Sequence, residues 1–112
     1  MLIASCHCQA VRIAVPRAPS DLNECHCSIC RRYAARWAYY APSEVDFLSG
    51  EGTTDAYIWG DRMLAFHRCA TCGCLTHWSP LGEGEGRMGV NGRLFEPDEI
   101  AASLVRVTAG PA

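Results

Sequence analysis

The chain has 112 residues, a formal net charge of −2 and 20% charged side chains. That fits a single domain over residues 1–112, able to bury about two thirds of its unfolded surface. The mild acidity excludes a nucleic-acid backbone binder, whose footprint is basic. No apolar run approaches the roughly 18 residues that a membrane span needs.

Taken in order, the predicted elements are mostly strands. Val11–Val15 alternates, with Val11, Ile13 and Val15 on one face, and Pro16 ends it. Ser28–Ala34 is the best helical candidate, one or two turns with Ser28 as its cap. Arg36–Ala41 is aromatic-rich and stops at Pro42-Ser43. Short β segments follow at Val45–Leu48, Thr54–Trp59, Met63–Arg68, Leu75–Trp78, Arg87–Asn91 and Ser103–Val107. Gly60-Asp61 suits a tight hairpin connection, and Pro97 suits the start of a further helical turn. The loose stretches are the Gly82–Gly86 loop and the C-terminal Thr-Ala-Gly-Pro-Ala tail. An antiparallel β architecture with metal knuckles in its loops is the economical reading.

The eight cysteines all fall in three clusters: Cys6-His7-Cys8, Cys25-His26-Cys27-Ser28-Ile29-Cys30 and Cys69-Ala70-Thr71-Cys72-Gly73-Cys74. Tetrahedral zinc holds its sulfurs only about 4 Å apart, which C-x-C and C-x-x-C bends can supply. Disulfides fit badly, because residues two apart rarely reach bridging geometry. The Met-Leu-Ile-Ala-Ser start is too short for a secretory signal. The expectation is therefore a cytoplasmic, zinc-binding chain.

The middle cluster supplies three ligands to one ion by itself, and three ligands with an open position is the arrangement of a catalytic zinc. Joining Cys6 and Cys8 to Cys69 and Cys72 would instead staple the N-terminal hairpin to later strands. Spacing equally allows two closed sites, with Cys74 or a histidine as the fourth ligand of the second. His7 and His26 alternate with ligands and so point away from them. His67 and His77 read as hydrogen-bonded groups on sheet faces rather than proton carriers. Cys74 reads as a packed free thiol, and Trp37, Tyr39 and Tyr40 as strand core. Arg31 and Arg32 follow Cys30 directly; they are either solvated or a fork for a substrate carboxylate.

These motifs have a precedent. Ser5-Cys6-His7-Cys8-Gln9-Ala10-Val11, Cys25-His26-Cys27-Ser28-Ile29-Cys30-Arg31-Arg32, Phe66-His67-Arg68-Cys69-Ala70-Thr71-Cys72-Gly73 and Val90-Asn91-Gly92-Arg93-Leu94 stand in one order. In that order the chain resembles glutathione-dependent formaldehyde-activating enzymes and centromere protein V. The resemblance implies a β-tent fold with two zinc ions. Cys6, Cys8, Cys69 and Cys72 would hold the structural one, and Cys25, Cys27 and Cys30 the one proposed as catalytic. It also implies carbon–sulfur lyase activity, with glutathione as the thiol partner and formaldehyde as the aldehyde. Two residues depart from the family pattern: Gln9 stands where Gly is usual, and Cys74 where Thr or Ser is expected. The chain is also shorter than the full-length enzymes.

A thiol entering the open position would lose its proton and attack the aldehyde carbon; the same zinc could instead polarise the carbonyl oxygen. Arg31 or Arg32 would steer the thiol's carboxylate. Two other classes fit the same residues. One is a binding module with two structural zincs and no catalysis. The other is a redox enzyme resembling zinc-type methionine sulfoxide reductases, for which only Cys74 is spare.

Overall fold

The computed structural model describes residues 1–82 and 86–110. Among these residues, ten strands form two sheets. The smaller contains β1 (Leu2–Ser5), β2 (Arg12–Val15) and β5 (Asp46–Ser49), in the order β1-β2-β5. The larger contains β3 (Asp21–Cys25), β4 (Trp37–Tyr40), β6 (Thr54–Tyr57), β7 (Leu64–Cys69), β8 (Leu75–Pro80), β9 (Met88–Asn91) and β10 (Leu104–Thr108). Its order is β10-β3-β4-β9-β8-β7-β6. The mainly β class holds, as do seven of the expected strands within a residue or two and most of Thr54–Trp59. One pairing corrects the purely antiparallel reading: β10 lies parallel to β3, with Thr108 opposite Cys25. A parallel neighbour needs a long crossover, and here most of the chain supplies it.

Strand alternation divides the core in two. Ala38 and Tyr40, with Val90 of β9 beside Ala38, face the small sheet and join Ile13 and Val15 in one core. Trp37 and Tyr39, on the other face of β4, join Cys25, Cys27, Cys30, Phe66 and Trp78. The functional surface is therefore one face of the larger sheet. Gly89 makes this face possible, because a Cβ there would collide with the indole of Trp78.

The helix α1 is shorter than expected, Cys30–Tyr33, and Ile29 rather than Ser28 occupies its N-cap, without a side-chain hydrogen bond. Ala34 ends it in the left-handed region at φ 55°. The β6–β7 connection is wider than a two-residue hairpin, with a turn closed by the Arg62 N–H to the Trp59 carbonyl at 3.0 Å. Pro97 begins hydrogen-bonded turns rather than a helix. No helix among the described residues is long and apolar enough to cross a membrane. The expected loose stretches at 82–86 and the C-terminus fall partly outside the described residues.

Candidate metal centres and the cleft beside one of them

The first thiol group is assembled from distant segments. Cys6 and Cys8 lie in the β1–β2 connection, Cys69 ends β7, and Cys72 sits in the β7–β8 turn. Their four sulfurs fall within 4.8 Å of one another, with Cys6–Cys8 at 3.7 Å and Cys8–Cys69 at 3.6 Å. Four sulfurs around tetrahedral zinc at about 2.3 Å would be separated by about 3.8 Å, so the donor set and spacing fit the ion. Backbone amides point at these sulfurs: Val11 N–H to Cys6 at 3.3 Å, and Thr71 and Cys72 N–H to Cys69 at 3.4 and 3.5 Å. Amides of Cys74 and Cys8 lower the Cys72 thiol to about 5. Such donors favour the thiolates a metal requires.

The second group is local. Cys25 ends β3, Cys30 opens α1, and Cys27 lies between them; all three are buried with sulfurs within 4.8 Å of one another. The Cys30 N–H points at the Cys27 Sγ at 3.4 Å, and the Trp37 indole N–H donates to the Cys30 Sγ at 3.4 Å. Burial pushes the Cys27 thiol up, but the Cys30 and Ile29 amides and neighbouring thiols outweigh it and the net shift is downward. At Cys30 burial prevails over the Trp37 hydrogen bond, and that thiol is pushed up. Soft thiolates of this kind suit zinc as well.

No fourth Cys, His, Asp or Glu among the described residues joins this trio. His26 turns outward to Glu24 at 2.8 Å, as alternation predicts, and Glu24 also holds Arg36 at 2.9 Å. His67 and His77 stack on each other at 4.3 Å. Cys74 lines a separate groove with Cys6, His7 and Arg93. What the trio meets instead is an open cleft of about 670 Å³. Its walls are aromatic: Trp37, Tyr39, Trp59, Phe66 and Trp78. Gly110, at φ 67°, lies so close over Cys25 that a Cβ there would collide with its sulfur.

The structure changes the reading of the cations. Arg31 and Arg32 are exposed and are not among the residues lining the cleft. Cys30 uses the inward side of α1, and at 3.6 residues per turn the next two positions rotate away from it. Arg32 hydrogen-bonds instead to the Ser28 carbonyl at 2.7 Å. The lining cation is Arg87, whose guanidinium carbon lies 4.1 Å from the centre of the Tyr39 ring. Sequence reasoning missed Arg87, Asn23, Trp59, Thr108 and Gly110 on this lining. The one available signal was alternation into β9, which puts Arg87 on the face of Gly89.

The fold is a small β domain with two thiol groups that could each hold a metal ion, one of four cysteines and one of three, the latter opening on an aromatic cleft. The chain belongs to the glutathione-dependent formaldehyde-activating enzyme family, whose model matches residues 1–105. Its fold is also similar to a crystal structure of a Rhodobacter sphaeroides protein, with a TM-score of 0.77 and 28% identity. That match covers 94% of this chain and 100% of the other.

Proposed function

We propose that the protein is a zinc-dependent carbon–sulfur lyase that joins a small thiol, glutathione, to a small aldehyde, formaldehyde. The observation that carries this reading is the buried Cys25/Cys27/Cys30 trio at an open cleft, with no fourth protein donor among the described residues. The reaction forms one C–S bond: the thiolate sulfur attacks the aldehyde carbon, the C=O π pair moves to oxygen, and that oxygen takes a proton. Zinc held by Cys25, Cys27 and Cys30 would supply Lewis acidity and favour the thiolate form of a thiol substrate. Trp37 fixes the position of Cys30 through its indole N–H. The aromatic walls offer apolar surface and leave room for a small peptide thiol, within the usual range of ligand sites. Cys6, Cys8, Cys69 and Cys72 would hold a second, structural zinc. A cytoplasmic setting, where thiols stay reduced, suits both centres.

The experiment is magnetisation-transfer NMR of glutathione with formaldehyde, which reads the exchange between free thiol and S-hydroxymethylglutathione directly. Acceleration by the metal-replete protein, lost in Cys27→Ser, supports the reading. A second reading draws on β10, whose Leu104, Val105 and Val107 are exposed on the outer strand of the large sheet. In that case the domain is a zinc-stapled binding module that pairs with a partner strand. Full metal content with no acceleration would favour it.

A further inference from the structure

The cleft lining is largely apolar, and its charged members among the described residues are Arg87 and Asp61. Arg87 rests on a fixed platform. Thr108 donates to the Asn23 Oδ1 at 2.8 Å, and the Asn23 amide donates to the Tyr39 hydroxyl at 2.6 Å. Trp78 meets the Tyr39 ring edge-on, with centroids 6.2 Å apart. Arg87 is itself exposed, at the solvent side of the cleft, but a guanidinium held on such a ring has lost part of its rotamer freedom in advance. Tyr39 lies two residues from Trp37 on the same face of β4, a separation of about 7 Å. Trp37 in turn touches Cys30. The cation and the thiol trio therefore line one cleft and are linked through Tyr39 and Trp37 on a single face of β4.

We propose that Arg87 determines the specificity of this cleft by taking the carboxylate of an anionic thiol whose sulfur reaches the Cys25/Cys27/Cys30 group. The inference rests on the thiol–aldehyde reading and adds the residue that selects the thiol: with Arg87 in place, neutral thiols are disfavoured against those whose carboxylate lies several bonds from sulfur. Arg87, rather than Arg31 or Arg32, takes the steering role, through the paired N–H geometry that suits carboxylates.

The three tryptophans of the chain, Trp37, Trp59 and Trp78, all line the cleft, so intrinsic fluorescence reports its occupancy independently of turnover. Metal-replete wild type, Arg87→Gln and Arg87→Lys are titrated with glutathione and with its diethyl ester, which lacks both carboxylates. Arg87→Gln should weaken glutathione binding about tenfold or more. The ester should bind both proteins equally weakly, and Arg87→Lys should recover part of the loss. In the NMR exchange assay KM should rise in Arg87→Gln while kcat stays near wild type. Equal glutathione affinity in wild type and Arg87→Gln, or no wild-type response at millimolar glutathione, overturns the assignment. Arg87-dependent binding without acceleration would remove the lyase reading and leave the anion site. Acceleration with an unchanged KM in Arg87→Gln would do the reverse.

Discussion

Trp37 donates its indole N–H to the Sγ of Cys30 at 3.4 Å, and this one contact ties the packing of β4 to the state of a candidate metal ligand. The hydrogen bond lowers the thiol pKa against the upward push of burial. Replacing Trp37 by Phe keeps most of the apolar volume and deletes the donor. Metal affinity depends on deprotonation, so a higher thiol pKa moves metal uptake to higher pH. The expected outcome is an upward shift of the uptake midpoint for the Cys25/Cys27/Cys30 centre, with the other centre unchanged. Thiolate-to-cobalt charge-transfer absorbance, followed across pH in both proteins, reads this. Coincident curves would show that Trp37 serves packing alone.

The two thiol groups should release metal in different ways. Cys6 and Cys8 lie in the β1–β2 connection of the small sheet, and Cys69 and Cys72 at the end of β7 and in the β7–β8 turn of the large one, so a metal there would tie the sheets together across about sixty residues of sequence. Structural zinc contributes on the order of 10 kcal/mol in small domains, comparable with a whole domain's stability. Cys69→Ser should therefore yield insoluble or molten protein. Cys25, Cys27 and Cys30 all come from one β3–α1 connection, so losing their ion frees a local segment. A chelator titration should strip one zinc equivalent while near-UV circular dichroism persists, and then strip the second with cooperative unfolding. Release of both together would contradict this order, as would a Cys69→Ser protein with native melting.

Much of this division was legible in the cysteine spacing, because ligand clustering is local chemistry. The strands missed were β1 and β3. Leu2–Ser5 is short, and Asp21–Cys25 is polar; its place in the sheet comes from β4 on one side and β10 on the other. The parallel β3–β10 pairing joins residues some eighty positions apart, beyond any periodicity. Arg31 and Arg32 adjoin Cys30 in sequence, but the helix start at Cys30 turns them away from the cleft lining. Arg87 reaches the cleft only through the pairing of β9 with β4, with Tyr39 opposite Gly89. The histidines fared better. His67 lies between the Thr54 and Ser79 hydroxyls at 2.8 and 2.9 Å, a hydrogen-bonded sheet-face group as expected.

His77 makes stability depend on pH. It faces the inter-sheet core, stacked on His67 and 4.9 Å from the Phe47 ring centre. Burial first, and the charge of His67 second, depress it to about 3. Its folded pKa thus lies below the unfolded value of about 6.5, and the unfolded chain binds more protons between the two. Stability from neutral His77 is complete above about pH 6.5 and is lost as pH falls toward 3. Between pH 6.5 and 5 the loss should be about 2 kcal/mol. His77→Phe should flatten the profile by that amount in urea unfolding at fixed metal content. Parallel profiles for the two proteins would refute it.

The turn that carries the first thiol pair ends at Gln9, which adopts a conformation suited to glycine. Gln9 has φ 68°, and its N–H closes the turn onto the Cys6 carbonyl at 3.1 Å. Left-handed backbone beside Cys8 is a conformation that glycine adopts without a Cβ penalty. A side chain there costs about 1 kcal/mol or somewhat more, while Gly would lose about 0.5–1 kcal/mol through the greater freedom of the unfolded chain. Gln9→Gly should therefore be neutral or stabilising by up to about 1 kcal/mol. Gln9→Ile, β-branched and poorly suited to positive φ, should destabilise by about 1–2 kcal/mol and weaken metal retention at Cys6 and Cys8. Urea unfolding with metal analysis separates these cases. An isoleucine variant as stable as the glycine one would mean that the turn can leave the left-handed region without disturbing the four-thiol group.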